Sequence, residues 1–374
     1  MSEKILLKDQ LFNREKINKI AGEIAMVHSS FDKNNFVRNV VGQFSQLELK
    51  ARISWIADCL KQHLPQNYQQ ATNIILASLP APNNAQLSDN DFGDFIYAPY
   101  AEFVAKNGCD AKNLSFSLNA LYEITQRFSA EDAIRYFINA FPSQTLATLK
   151  KWSKDNHYHV RRLCSEGTRP KLPWSQKLKI DAKDALPILD NLFADSTRYV
   201  TRSVANHIND ISKIDANLAI DILLGWQKLQ KQNAKEMDYI IRHALRSLIK
   251  QGNAKALQLL GVSHDLAVEI FNLKVPTQVK INSALEFSFA IKAAKSAQII
   301  ADYIIYFQNK AGNFNNKKVF KLKSFAAEEG KALTLSKRHM FRENMTTRKI
   351  ILGQHEIEIK INGKSCGRRG FLVV

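Results

Sequence analysis

Three segments spaced forty residues apart carry the same pattern, and that period constrains the fold more than any other feature of the chain. Asp155, Val160 and Arg162 align with Asp195, Val200 and Arg202, and a further step reaches Ile240 and Arg242, where Lys235 replaces the acid. A V-x-R or I-x-R core at this period is in the range of helical-pair repeats of the HEAT and armadillo kind, where each unit buries its apolar stripe against its neighbours. Residues four apart share a helical face. With each arginine opening a helix, the faces read Arg162 and Glu166, then Arg202, Asn206 and Asp210, then Arg242, Arg246 and Lys250. Val200, Val204, Ile208 and Ile211 form the apolar stripe of the second unit. Stacked units would then present a polar, mostly basic column broken by carboxylates. Solvated Arg-to-acid pairs are the alternative for any one position, and the register of the three units favours a functional column.

At 374 residues the chain is long for a single core, so two domains are expected. A formal net charge of +18 favours a polyanionic partner, with nucleic acid first and an anionic membrane surface second. No apolar segment approaches membrane-spanning length and no basic amphipathic anchor stands out, which favours a soluble nucleic-acid binder. The first residues have scattered charges and do not read as a secretory signal. Cys59, Cys109, Cys164 and Cys366 are far apart and make no C-x-x-C pair, so reduced cytoplasmic thiols and no structural metal are expected.

Residues 1–270 read as helical, with breakers at Pro65, Pro80, Pro82 and Pro142, and with Ser129-Ala-Glu-Asp132 marking a helix start. Gly252 and Gly261 end late helices. The two prolines of GTRPKLPW, residues 167–174, send the chain out of the array as a loop. Residues 271–374 change character to period-two alternation, clearest in HEIEIKI at 355–361, followed by the Asn362-Gly363 turn signal. This predicts an antiparallel β-sandwich of the immunoglobulin (Ig) kind. From Lys274 onward nineteen Lys or Arg face seven Asp or Glu, so most of the excess charge sits in this smaller domain. Trp55 and Trp226 lie in amphipathic helices and are expected in the core.

Residues 152–174, WSKDNHYHVRRLCSEGTRPKLPW, combine aromatic, acidic and basic groups on a repeat element. Through this run, SEGTRPKLPW at 165–174 above all, and through VTRSVANHINDISK at 200–213, the chain resembles the AlkC branch of the HEAT-like-repeat DNA alkylation repair glycosylases. The likeness is strongest over residues 110–262, and the β-rich tail is similar to the Ig-like domain that some AlkC members carry. It implies a mainly α fold, an α-solenoid of HEAT-like repeats followed by a small β-sandwich. It also implies a monofunctional glycosylase that removes N3-methyladenine, N3-methylcytosine and N1-methyladenine from double-stranded DNA. Such an enzyme would work as a monomer, without a cofactor, in the bacterial cytoplasm at the nucleoid.

The chemistry suits the residues. A cationic base is already a good leaving group, and the main task is to stabilise positive charge growing on the deoxyribose, which a carboxylate does electrostatically while orienting water. Glu166 is the first candidate, with Asp210 and Glu123, which sit 44 residues after and 43 before it, on adjoining repeats. Asp155 holds the position where the related AlkD-type enzymes carry a catalytic aspartate, although its repeat partner Asp195 points to a helix cap. Trp152 and Trp174 are candidates for contact with the lesion nucleotide, because a methylated base is an electron-poor cation. His157 and His159 read as phosphate or capping groups. Arg162, Arg169, Arg202, Arg242, Arg246 and Lys250, with Asn206, are candidate DNA contacts of the sequence-independent kind. The rival readings are a non-catalytic, damage-binding HEAT-repeat scaffold and, remotely, a direct dealkylase. The latter lacks both a His-x-Asp iron motif and a Pro-Cys-His-Arg thiol.

Overall fold

The computed structural model describes residues 6–86, 92–314, 316–343 and 349–374. Among the described residues, helices follow one another from Leu7–Leu11 to Ala254–Leu259, and eight strands come after them. By contacts it divides into two compact units, Met1–Ile211 with Trp226–His243, and Ser212–Gly225 with Ala244–Val374. None of the helices among the described residues is long and apolar enough to cross a membrane.

The forty-residue period appears as a repeated Asx turn. Asp155 Oδ1 accepts the His157 N–H at 2.7 Å, and Asp195 Oδ1 accepts the Thr197 N–H at 2.8 Å, each turn feeding a helix, Tyr158–Gly167 and Arg198–Ser212. A carboxylate two residues before the first helical turn satisfies one of its orphan donors. Val160, Val200 and Ile240 are all fully buried, as the apolar stripe requires.

Two expectations need correction here. The helices begin at Tyr158 and Arg198, four residues before the repeat arginines, because the Asx turn and not the arginine starts them. The third face is also interrupted: the helix Ala234–Ala244 ends before Arg246–Gln251 begins. Leu245, fully buried with ψ 4°, separates the two helices. Trp226 is core as expected, stacked on Phe193 at 4.8 Å with its indole N–H on Asp190.

The strands are β1 (Val268–Lys274), β2 (Gln278–Val279), β3 (Ala284–Ala293), β4 (Ala297–Phe307), β5 (Asn316–Ala327), β6 (Ala332–Met340), β7 (Gly353–Ile361) and β8 (Lys364–Val373). They form sheets of order β1-β3-β6 and β2-β8-β7-β4-β5. One core lies between the sheets, with Phe287 and Phe289 of β3 and Leu335 of β6 meeting Tyr303, Ile305, Ile357, Ile359 and Phe371. The sandwich is not wholly antiparallel, since the two-residue edge strand β2 runs parallel to β8. Asn362 and Gly363, with φ 48° and 83°, make the tight β7–β8 turn that the Asn-Gly pair predicts. Gly252, in a left-handed C-cap at φ 79°, abuts that turn so closely that a Cβ on it would lie 2.9 Å from the Gly363 Cα.

Candidate active site

Asp155 and Trp152 sit at the N-terminal end of the Tyr158–Gly167 helix. Tyr122 donates to Asp155 Oδ2 at 3.0 Å and its ring packs against Trp152 at 5.4 Å. His157 caps the helix, its Nδ1 accepting the His159 N–H at 3.2 Å. Glu166 occupies the other end, on the order of 15 Å away along the helix axis at 1.5 Å per residue. Asp155 and Glu166 are therefore placed in different surroundings.

At the C-terminal end the helix comes close to its neighbour Glu131–Ala140, because Gly167 has no side chain: a Cβ there would lie 2.5 Å from Ile134 Cγ2. That approach gathers five charged groups. Arg169 Nη1 donates to Glu166 Oε1 at 2.6 Å and its Nε to Asp210 Oδ2 at 2.9 Å, so one guanidinium bridges two carboxylates. Ser203 donates to the other Glu166 oxygen at 2.6 Å. Arg162 Nη1 donates to Ser129 at 2.8 Å and to Glu131 Oε2 at 3.3 Å, its Nη2 lies 3.7 Å from Glu166 Oε2, and its guanidinium stands 4.5 Å over the Tyr199 ring. Glu166 is 5% exposed and Asp210 1%, whereas the Glu131 side chain keeps 26%.

With all five ionised, three carboxylates face the guanidiniums of Arg162 and Arg169, and a third guanidinium, Arg135, lies within electrostatic reach of Glu166, Asp210 and Arg169. Burial pushes the Glu166 carboxyl up, but Arg162 and Arg169, with the Ser203 hydroxyl, more than offset it and hold the group below its usual range. Glu131 goes the other way: burial raises it, Arg162 opposes, and the like charge of Glu166 raises it further. Of the three carboxylates, Glu131 has the most exposed side chain. His207 lies alongside, its Nδ1 3.1 Å from the Ser165 carbonyl oxygen, and burial depresses it to about 4, so it is neutral near neutral pH.

Sequence reasoning passed over Glu131, because Ser129-Ala-Glu-Asp132 reads as an ordinary helix start in which first-turn acids need no other role. Glu123 is placed apart from this group in a pair with Arg127, at 3.1 Å and 40% exposed. Arg162 and Arg169 are 8% and 9% exposed, and their guanidiniums donate to carboxylates. Arg202 stands 6.0 Å from the Tyr199 ring, Asn206 Oδ1 meets His243 Nε2 at 2.8 Å, and exposed Arg242 pairs with Asp238 at 2.7 Å. Arg246 is half-buried and Lys250 exposed. Among the described residues no group of three His, Cys, Asp or Glu is placed to hold a metal ion.

The loop after Gly167 is held by Arg135, which is 1% exposed. It donates from Nε to the Gln176 carbonyl at 2.8 Å and from Nη1 to those of Gly167 at 3.0 Å and Arg169 at 2.8 Å. Arg135→Met keeps the stem and removes all three bonds, leaving buried carbonyls unsatisfied. It is expected to cost about 3 kcal/mol in chemical denaturation; a loss under about 1 kcal/mol would contradict this role. Beyond the clamp, Trp174 has φ 63° and is 83% exposed, and its carbonyl accepts Lys50 Nζ at 2.5 Å. It borders a cleft of about 230 Å³ whose lining includes Glu131.

Comparison with known proteins places this geometry. The family described as the C-terminal Ig-like domain of the uncharacterised protein YhaZ matches residues 269–374. Over 360 residues, 95% of this chain and 96% of the relative, the sequence is 31% identical to the uncharacterized protein YhaZ of Bacillus subtilis (strain 168). The solved structure of Pseudomonas fluorescens alkylpurine DNA glycosylase AlkC, bound to DNA containing an abasic site analog, matches with a TM-score of 0.89 at 34% identity, covering 99% of this chain and 100% of that one. A full-length match of this quality defines the class as DNA alkylation repair glycosylases built on helical repeats with an Ig-like tail. The chain belongs to the AlkC-type family that includes these relatives.

Proposed function

We propose that the protein hydrolyses the N-glycosidic bond of cationic alkylated bases, N3-methyladenine, N3-methylcytosine and N1-methyladenine, in double-stranded DNA. The observation that carries this reading is the convergence of three carboxylates, Glu131, Glu166 and Asp210, around Arg162 and Arg169, at the edge of a cleft bordered by Trp174. As the C1′–N bond breaks, its electron pair goes to the base and cancels the base's charge, while the sugar becomes oxocarbenium-like. Carboxylates fixed beside the sugar stabilise that charge. Glu166 and Asp210 supply the fixed negative field. Glu131, with its raised affinity for protons and partial exposure, takes the proton of the water that adds to C1′. The products are a free base and an abasic site.

In this reading Arg162 and Arg169 space the carboxylates, Asp155 forms the repeat turn and Glu123 belongs to a surface pair. Arg202, Asn206, Arg242, Arg246, Lys250 and the basic β-domain hold phosphates. The enzyme acts as a monomer without a cofactor in the bacterial cytoplasm. The test is incubation with N-methylated duplex DNA in the presence of borohydride. Free methylated base, alkali-labile strands and no trapped protein–DNA adduct are expected. Bound DNA with no base released would replace the proposal with the damage-binding scaffold.

A further inference from the structure

We propose that His207 is a positioning residue for Glu166, holding the last turn of the Tyr158–Gly167 helix through a neutral Nδ1–H on the Ser165 carbonyl. The inference rests on the glycosylase reading above, and no step of that chemistry uses His207. Ser203, His207 and Asp210 stand four and three residues apart on the Arg198–Ser212 helix, which puts them on one face, and all three are buried. Each meets the segment that carries Glu166. Ser203 donates to Glu166 Oε2 at 2.6 Å, Asp210 Oδ2 accepts from Arg169 Nε at 2.9 Å, and His207 Nδ1 lies 3.1 Å from the Ser165 carbonyl oxygen.

A carbonyl oxygen can only accept, so Nδ1 carries the ring proton and Nε2 is left as a bare lone pair. Nε2 is buried and has no hydrogen-bond partner among the described residues. An unsatisfied buried acceptor is costly, and a leucine would fill similar space without that cost. What the imidazole supplies in return is the donor on its other edge. The Ser165 carbonyl is one of the last four of its helix, which have no helical N–H to accept from. Thr168 Oγ1 lies 3.2 Å from it but 2.7 Å from the Cys164 carbonyl, and its single proton goes to the nearer oxygen. The imidazole is therefore the donor placed for Ser165.

An ammonium or a guanidinium could make the same contact, at the expense of the chemistry. His207 is within electrostatic reach of Asp210, Arg169 and Glu166, and a cation there would offset the carboxylate field on which the oxocarbenium-like sugar depends. Burial keeps the imidazole uncharged near neutral pH, outweighing the Ser165 carbonyl and the Asp210 carboxylate, which favour the proton. The effect on Glu166 passes through one peptide unit, since Ser165 is the residue before it. With the Ser165 carbonyl released, the last turn can shift, and a misplacement of about 1 Å can lower a rate about a hundredfold.

Two measurements test this. Nitrogen NMR shifts of the His207 ring, assigned by their loss in His207→Asn, should show the neutral Nδ1–H tautomer in wild-type protein near neutral pH; an Nε2–H tautomer or an imidazolium would overturn the proposal. The second compares His207→Asn with His207→Gln in single-turnover base release at saturating DNA. The asparagine amide nitrogen overlies Nδ1 and the glutamine one overlies Nε2, so only asparagine keeps the bond, although glutamine fills the space better. His207→Asn is expected to stay within about fivefold of wild type and His207→Gln to lose about thirtyfold or more. Affinity for DNA carrying an abasic-site analogue reports whether each variant is folded; if either is not, the tautomer decides. A side chain that merely fills volume would favour glutamine, so equal rates in the two variants, or a faster His207→Gln, would also overturn the proposal. Absence of base release by wild type would instead sink the glycosylase reading, and the tautomer is read independently of it.

Discussion

Glu166→Gln is expected to slow single-turnover base release about a hundredfold or more, at a DNA occupancy matched to wild type. The amide is nearly isosteric. Its oxygen can still accept from Arg169 and its nitrogen can donate to Ser203, the two partners the carboxylate has at 2.6 Å each. What changes is the charge: one of the three carboxylates becomes neutral, and the oxocarbenium-like sugar loses that part of the field that stabilises it. Because the group is 5% exposed, solvent can replace little of that field. Gel-shift or anisotropy titration fixes occupancy and chromatography of the free base gives the rate. A loss below about tenfold would assign Glu166 to structure and leave the chemistry to Glu131.

Removing the bridging cation should act on stability instead. Arg169→Met leaves Glu166 and Asp210 buried with no guanidinium between them, and breaking one partner of a buried ion-pair network costs about 3–5 kcal/mol. The pH dependence follows from the signs. In wild type the Glu166 carboxyl is held below its usual value, so its contribution is fully present above the unfolded-state value and is lost as pH falls through the lowered one. In the variant Glu166 keeps only Arg162 and the Ser203 hydroxyl against its burial, so its carboxyl rises and protonation relieves the penalty as pH falls. Denaturation should therefore show a deficit that is large near pH 8 and much smaller near about pH 5. An equal deficit at both would show that packing, and not charge, is what Arg169 supplies.

The elements legible in the sequence were those with a local signal. The forty-residue period located the repeats, and the Asp195 counterpart of Asp155 pointed to the turn that both residues form. Alternation and Asn362-Gly363 gave the β7–β8 hairpin. Strand β1 was harder to see because Asn272, at φ 54°, and the irregular register between Phe271 and Lys274 break its alternation. The break at Leu245 leaves no mark either, since leucine is a good helix former and only packing decides its backbone.

At the site, Glu166 and Asp210 were singled out from spacing and are bridged by Arg169. Equal spacing also suggested Glu123, but the period gives a position along a helix and not the direction of a side chain, and Glu123 points to Arg127. Beside Arg162 stands Glu131, eight residues later, at the start of the next helix. No pattern of spacing reveals that, because the contact depends on how closely Gly167 lets two helices approach.

The most direct test of the central claim compares single-turnover rates on two duplexes that differ only in charge: one with N3-methyladenine, the other with its neutral isostere 3-deaza-3-methyladenine. A site that stabilises the sugar and does not protonate the base should release the cationic base and leave the neutral one attached while binding both duplexes. Release of both at similar rates would mean that the enzyme activates the leaving group itself, and the role given to Glu131, Glu166 and Asp210 would be wrong.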